Sequence, residues 1–166
     1  KNKNSICNKC YSMKMLNTMR KNCIPNFQQN SELLSKSIIH VDLLPNVLNA
    51  FFRFSSHGEL INNNHLINLI NICLKNKHCI FTLWTKRTDI INKVFKENIK
   101  PKNLILIFSN SKLNNPIKSP PKYFDKTFNN VSKSFDKTKI NCFGKCQDCL
   151  VCYKHNNINQ IVEFIK

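Results

Sequence analysis

The chain has 166 residues, 42% of them hydrophobic, enough to bury the core of one domain and too apolar for a disordered tail. Its 26 basic and 9 acidic residues give a net charge of +17, which disfavours basic partners and favours nucleic acid or another polyanion. No run reaches the eighteen or more apolar residues of a membrane span and no signal peptide is visible, so a cytoplasmic protein without a membrane partner is expected.

Lys, Asn and Ile dominate and only three residues are Arg, the signature of an AT-rich coding sequence. The positive charge is therefore spread along the chain rather than gathered in one patch. Nine cysteines without a secretory signal point to metal binding or to reduced thiols, and an odd count does not pair completely. The sequence opens on Lys1 rather than Met, so ligands upstream of it stay open.

In chain order, a Cys-x-x-Cys-Tyr turn (Cys7, Cys10) precedes a short helix-like stretch with Met13, Leu16 and Met19 on neighbouring turns. "NSELLSKSIIHVDLLPNVLNA" fits helix and strand equally, and Pro45 interrupts it. "AFFRFS" (50–55) predicts a strand, and "ELINNNHLINLINICLK" predicts a helix with Leu66, Leu69, Ile70 and Cys73 on one face. "CIFTLW" (79–84) is the next strand, and "TDIINKVFKEN" the next helix, with Thr88 or Asp89 as its cap. "NLILIFS", from Asn103, is the clearest buried strand in the chain.

A loop with Pro116, Pro120 and Pro121 then ends the repeat, and "KYFDKTFNNVSKSF" reads as one more strand or an irregular edge. A last short helix or strand covers 158–165. Strand–helix alternation with nearly continuous apolar strands means parallel βα units. The expected fold is α/β: a small, mainly parallel, partial-barrel-like sheet with a C-terminal cysteine-rich metal-binding segment. Residues 1–140 form the α/β domain and 141–166 a cysteine cluster packed on it.

Ligands of such sheets sit beyond the carboxyl ends of the strands. There the sequence places His57, Gly58 and Glu59 after the first strand and Lys86 with Arg87 after the second. One of only two glycines stands at that first turn, where a positive φ is expected. Glu59 either holds a cationic group of a ligand or caps the following helix, and Lys86 either binds an anionic group or is solvated.

Cys142, Cys146, Cys149 and Cys152 read C-x3-C-x2-C-x2-C. Two metal-binding readings stay open, beside four reduced or partly paired thiols that hold no metal. Two of them with Cys7 and Cys10 would complete a tetrahedral zinc site. Alternatively, the run is a ferredoxin spacing in reverse, suited to a [4Fe–4S] cluster, and its first three members match the C-x3-C-x2-C triplet of radical S-adenosylmethionine enzymes. Cys73, on an apolar helix face, and Cys79, at a strand start, are expected in the core.

The blocks "FRFSSHGELIN", "HLINLINICLKNKHCIFTLWTKR", "KPKNLILIFSN", "PKYFDKTFNNV" and "INCFGKCQDCLVCY" together resemble the phage- and plasmid-encoded gene-product-eighty-eight-like family of small cysteine-rich proteins. That resemblance implies a phage or mobile-element origin and, with it, the cytoplasm of a host cell. A more distant likeness connects Cys-x-x-Cys-Tyr, the Gly-Glu turn and the Trp-Thr-Lys strand end to photoproduct-lyase-like radical S-adenosylmethionine barrels. It implies that Cys7 and Cys10 are cluster ligands and that Gly58–Glu59 holds the cofactor's amino group. Lys3 stands where that pattern has a further cysteine, and no proline follows Glu59.

The functional expectation is an iron–sulfur protein, in reach of a reduced radical enzyme that acts on nucleic acid or a nucleotide. Its alternatives are a zinc-stabilised basic binding protein without catalysis and a structural subunit of a larger assembly. The sequence leaves the oligomeric state open.

Overall fold

The computed structural model describes residues 5–144 and 146–165, so Lys3 lies outside it. Five strands form one sheet in the order β1-β2-β3-β4-β5, every neighbouring pair parallel. They are β1 (Phe51–Phe54), β2 (Ile80–Thr85), β3 (Leu104–Ser109), β4 (Lys126–Val131) and β5 (Gln160–Phe164). Spatial order equal to chain order is the winding of a barrel wall: the helices that join β1 to β2 and β2 to β3 lie on one face. The partial-barrel expectation holds in this sense.

The register assigns the two faces. Phe81 pairs with Leu104 and Leu83 with Leu106, and these side chains look towards the helices. Helix α3 (Asn63–Lys75) contributes Leu66, Leu69, Ile70 and Cys73, and α4 (Thr88–Glu97) contributes Ile90, Ile91, Val94 and Phe95. Phe54 stacks on Phe81 with ring centroids 4.9 Å apart. Fully buried chains of this size stabilise by about 2 kcal/mol each, so this layer carries most of the fold. Cys73 and Cys79 are both fully buried in it, as expected.

Helix α3 begins later than its periodicity suggests. Asn62 accepts the amide of His65 at 3.0 Å and so sets the N-terminus. Helix α4 starts without a side-chain cap, because Asp89 instead forms a two-pronged pair with Arg87. The ambiguous stretch before β1 resolves into α2 (Ile24–Lys36), which packs on α3, followed by irregular chain with one short turn at Val41–Leu43.

No helix bridges β3 and β4. The loop through the three prolines covers that part of the helical face, and buried amides replace apolar packing. Asn129 accepts from Asn110 at 3.0 Å and from the Ile117 amide at 2.9 Å, and its own amide donates to the Ile161 carbonyl at 3.1 Å. The last residues add more than a packed cluster, since β5 extends the sheet beside β4.

The opposite face carries Arg53, Trp84, Ile105, Ile107, Phe128 and Asn130 from successive strands. Trp84, Ile105 and Ile107 form a second small core, and Cys152 packs against it. Among the described residues, no helix is long and apolar enough to cross a membrane.

Candidate functional site: a cysteine-lined cavity on the helix-free face

Both ends of the chain return to the helix-free face. At the N-terminal end the Ile6 amide donates to the Ser111 carbonyl at 3.0 Å, beyond β3, which brings in the turn of Cys7 and Cys10. At the C-terminal end the Asn141 and Cys142 amides both donate to the Val162 carbonyl of β5, and the Asn141 side chain pairs with Gln160 and Val162. Between them Gly144 (φ +81°) and Leu150 (φ +51°) turn the cysteine segment sharply around the short helix α5 (Cys146–Cys149). Lys126, almost fully buried, fastens the segment's far end by donating to Asn156 at 2.7 Å and to the Ile158 carbonyl at 2.8 Å.

The result is a cavity of about 420 Å³ lined by Cys7, Cys10, Cys142, Cys146 and Cys152, together with Arg20, Arg53, His57, Trp84 and Lys86. Its size is that of a small-molecule or cofactor site. Beside it is a nook of about 20 Å³ lined by all four late cysteines, Cys149 included. Among the described residues, no three His, Cys, Asp or Glu side chains stand close enough to hold a metal ion as they are placed. The thiols surround a space rather than a point.

The donor set is nonetheless one that soft metal centres use: five thiols line the cavity, with the Glu163 carboxylate beside them. Cys152 feels that crowding. Burial first, and then the fields of Cys142, Cys146 and Cys149, push its thiol up to about 12, against the opposing pull of Arg53. Burial also raises Cys142. A cation among these groups would displace their protons on binding.

His57 is a clamp. A guanidinium only donates, so the Arg20 contact at His57 Nε2 makes that atom an acceptor and puts the ring proton on Nδ1, which donates to Ser12 Oγ at 2.8 Å. Phe27 of α2 lies against the ring at 5.4 Å between centroids. The imidazole thus ties α1 (Tyr11–Asn17), Arg20 and α2 to the carboxyl end of β1. Burial, Arg20 and Arg53, in that order, hold its pKa below the ordinary value, in keeping with a neutral ring.

Gly58 adopts φ +90°, as its place in the turn demands, while a Cβ there would meet nothing within 4 Å. The conformation, not the space, requires glycine. Glu59 does not line the cavity. One carboxylate oxygen accepts from the Leu60 amide at 2.9 Å and from the Thr85 hydroxyl, and the other accepts from the Lys86 amide at 2.9 Å. It therefore ties the end of β1 to the end of β2 and does not cap α3. Lys86 reaches the cavity, whereas Arg87 is spent on Asp89 and the Leu60 carbonyl.

Arg20 and Arg53 line the cavity without belonging to a site motif read from the sequence, and Trp84 enters only through the Trp-Thr-Lys strand end. Arg53 lies over the Trp84 ring with its Cζ 4.0 Å from the centroid. The available signal was the rarity of arginine. All three arginines of this lysine-rich chain make defined contacts, with His57, Trp84 and Asp89, that a lysine would not reproduce.

Fold and cavity define a class: a singly wound parallel α/β protein with thiols and cations gathered on the face that its helices leave open. The chain belongs to the gene product 88 family, whose model matches residues 1–148, a span that includes Cys7, Cys10, Cys142 and Cys146. No curated protein and no solved structure matches it, and the likeness to radical S-adenosylmethionine barrels finds no support in these comparisons.

Proposed function

We propose that the protein is an iron–sulfur protein of phage or mobile-element origin and that its cavity is a reaction site of the radical S-adenosylmethionine kind, working on a nucleotide or nucleic acid. The observation that carries the proposal is the convergence of Cys7 and Cys10 with Cys142, Cys146 and Cys152 on one cavity at the open sheet face. The cluster would draw its ligands from among these cysteines and Cys149. Such a cluster would supply single electrons and, together with S-adenosylmethionine, radical chemistry.

The chain's own residues do the rest. His57 holds the segment that carries Cys7 and Cys10 against the sheet through Ser12 and Arg20. Trp84, Phe128 and Ile165 provide an apolar wall that limits water. Gly58 and Glu59 act behind the cavity by fixing the β1 turn and the position of Lys86, which faces the ligand together with His57.

One observation favours a second reading, a zinc-stapled basic binding protein without catalysis. The nook lined by Cys142, Cys146, Cys149 and Cys152 has room for about one ion, and Cys7 and Cys10 take no part in it. Substitution separates the two. Under the first reading, Cys10→Ala and Cys146→Ala both lower the iron content of anaerobically purified protein, and Cys73→Ala leaves it unchanged. Loss of zinc in Cys146→Ala with none in Cys10→Ala would establish the second.

A further inference from the structure

We infer that the cavity holds a phosphate group between Arg53 and Lys86, and that its substrate is therefore phosphorylated: a nucleotide, or the terminal nucleotide of a strand. The inference rests on the proposed function and gives its site a recognition element.

Of the three cations lining the cavity, Arg20 is committed to His57. Arg53 and Lys86 are not. Among the described residues, the Arg53 guanidinium makes no hydrogen bond or ion pair and lies over the Trp84 ring, while Lys86 uses its backbone amide on Glu59 and leaves its ammonium unpaired. Elsewhere in the fold the well-placed cations have partners: Arg87 pairs with Asp89, Lys100 with Asp125 at 2.6 Å, and Lys126 donates to Asn156. Two uncommitted cations from neighbouring strands, at the carboxyl ends where such sheets bind ligands, are a recognition pair rather than a solvated surface.

The chemistry selects phosphate. A guanidinium placed over an indole presents its N–H donors to two oxygens of one anion, and an ammonium lining the same cavity adds a point charge. The Glu59 bonds to the Thr85 hydroxyl and the Lys86 amide fix where that ammonium starts. A phosphate group takes up only a small part of the volume of about 420 Å³ and leaves room for the metal centre. Tyr11, half exposed on the cavity wall, offers a face to the base.

The competing explanation is that both cations only offset thiolate charge, since Arg53 acts on Cys152. Calorimetric titrations of the metal-loaded protein with adenosine 5′-monophosphate, adenosine and inorganic phosphate distinguish them, with a 5′-phosphorylated single-stranded hexanucleotide and its 5′-hydroxyl form as the strand probes. The monophosphate binds at least about tenfold more tightly than adenosine, and Arg53→Gln and Lys86→Gln each lose about tenfold, the scale of one charge-assisted contact. Lys96→Gln, on the far side of α4, changes nothing.

Equal losses in all three variants would overturn the inference in favour of the diffuse +17 field. Lower metal content in Arg53→Gln and Lys86→Gln with unchanged nucleotide affinity would overturn it in favour of thiolate neutralisation. Preference for the hexanucleotide's 5′-phosphate over the mononucleotide assigns the strand end as the source, and the reverse assigns the free nucleotide. Because Lys86→Gln leaves the Arg53–Trp84 contact intact, a folding defect in one variant does not remove the test. Metal content measured on the same samples shows separately whether the metal centre itself fails.

Discussion

Replacing Glu59 by alanine separates a structural carboxylate from a ligand-holding one. The substitution removes three hydrogen bonds: two from backbone amides at 2.9 Å and one from the hydroxyl of Thr85, which is fully buried. Water reaches the Lys86 amide, so its bond is worth about 0.5 kcal/mol, and the Leu60 bond about 1 kcal/mol. Thr85 loses its acceptor in the interior, which costs about 1.5 kcal/mol more. The expected destabilisation is about 3 kcal/mol, or a drop of about 6–12 °C in Tm for a domain of this size. Glu59→Gln keeps one acceptor oxygen and should lose about half as much. The assay is thermal unfolding by circular dichroism, with Thr85→Val completing a double-mutant cycle whose coupling energy should be about 1 kcal/mol or more. A Tm within about 1 °C of the parent, with ligand binding abolished, would refute the reasoning and give Glu59 back to the ligand.

His57 has a folded-state pKa lowered from 6.5, so its contribution is fully present above that value and is lost as the pH falls through it. Proteolysis within residues 11–36 should accelerate between about pH 7 and about pH 5, and His57→Gln should flatten that response, leaving only the part due to His65, whose pKa burial also lowers. Asp125→Ala strands Lys100 and the Leu106 amide, which it accepts at 2.7 Å. Since both side chains of the pair are about one-fifth exposed, the expected cost in denaturant unfolding is about 2 kcal/mol rather than the full buried-pair value. In metal-stripped native protein, iodoacetamide should label the exposed Cys7, Cys146 and Cys149 first by peptide mass spectrometry. Cys73 and Cys79, whose thiols burial pushes up, should react only on unfolding.

The sheet was legible where strands are apolar on both faces. Leu104–Ile107 pack against helices on one side and the Trp84 cluster on the other, so a continuous run was unambiguous. Strand β4 was not, because Thr127 and Asn129 face a loop instead of a helix and bond to it through polar atoms. Helix α2 was obscured for the opposite reason: none of its residues is buried, so its apolar stripe is weak. In the site, the Gly58 turn and the cysteine spacings were local signals and could be read directly. The meeting of Cys7 and Cys10 with the late cysteines is a product of topology, set by bonds to Ser111 and Val162 that no short motif encodes. The partners of Glu59 could not be read locally, because Thr85 and Lys86 lie 26 and 27 residues further along the chain.

The most direct test of the central claim is the iron, zinc and acid-labile sulfide content of anaerobically purified protein, recorded with its visible absorbance spectrum. The account predicts iron and sulfide in near-equal amounts and a brown protein that dioxygen bleaches. Zinc alone, colourless and removed only by acid or chelator, would contradict it, as would a protein that takes up no metal and keeps its cysteines as free thiols.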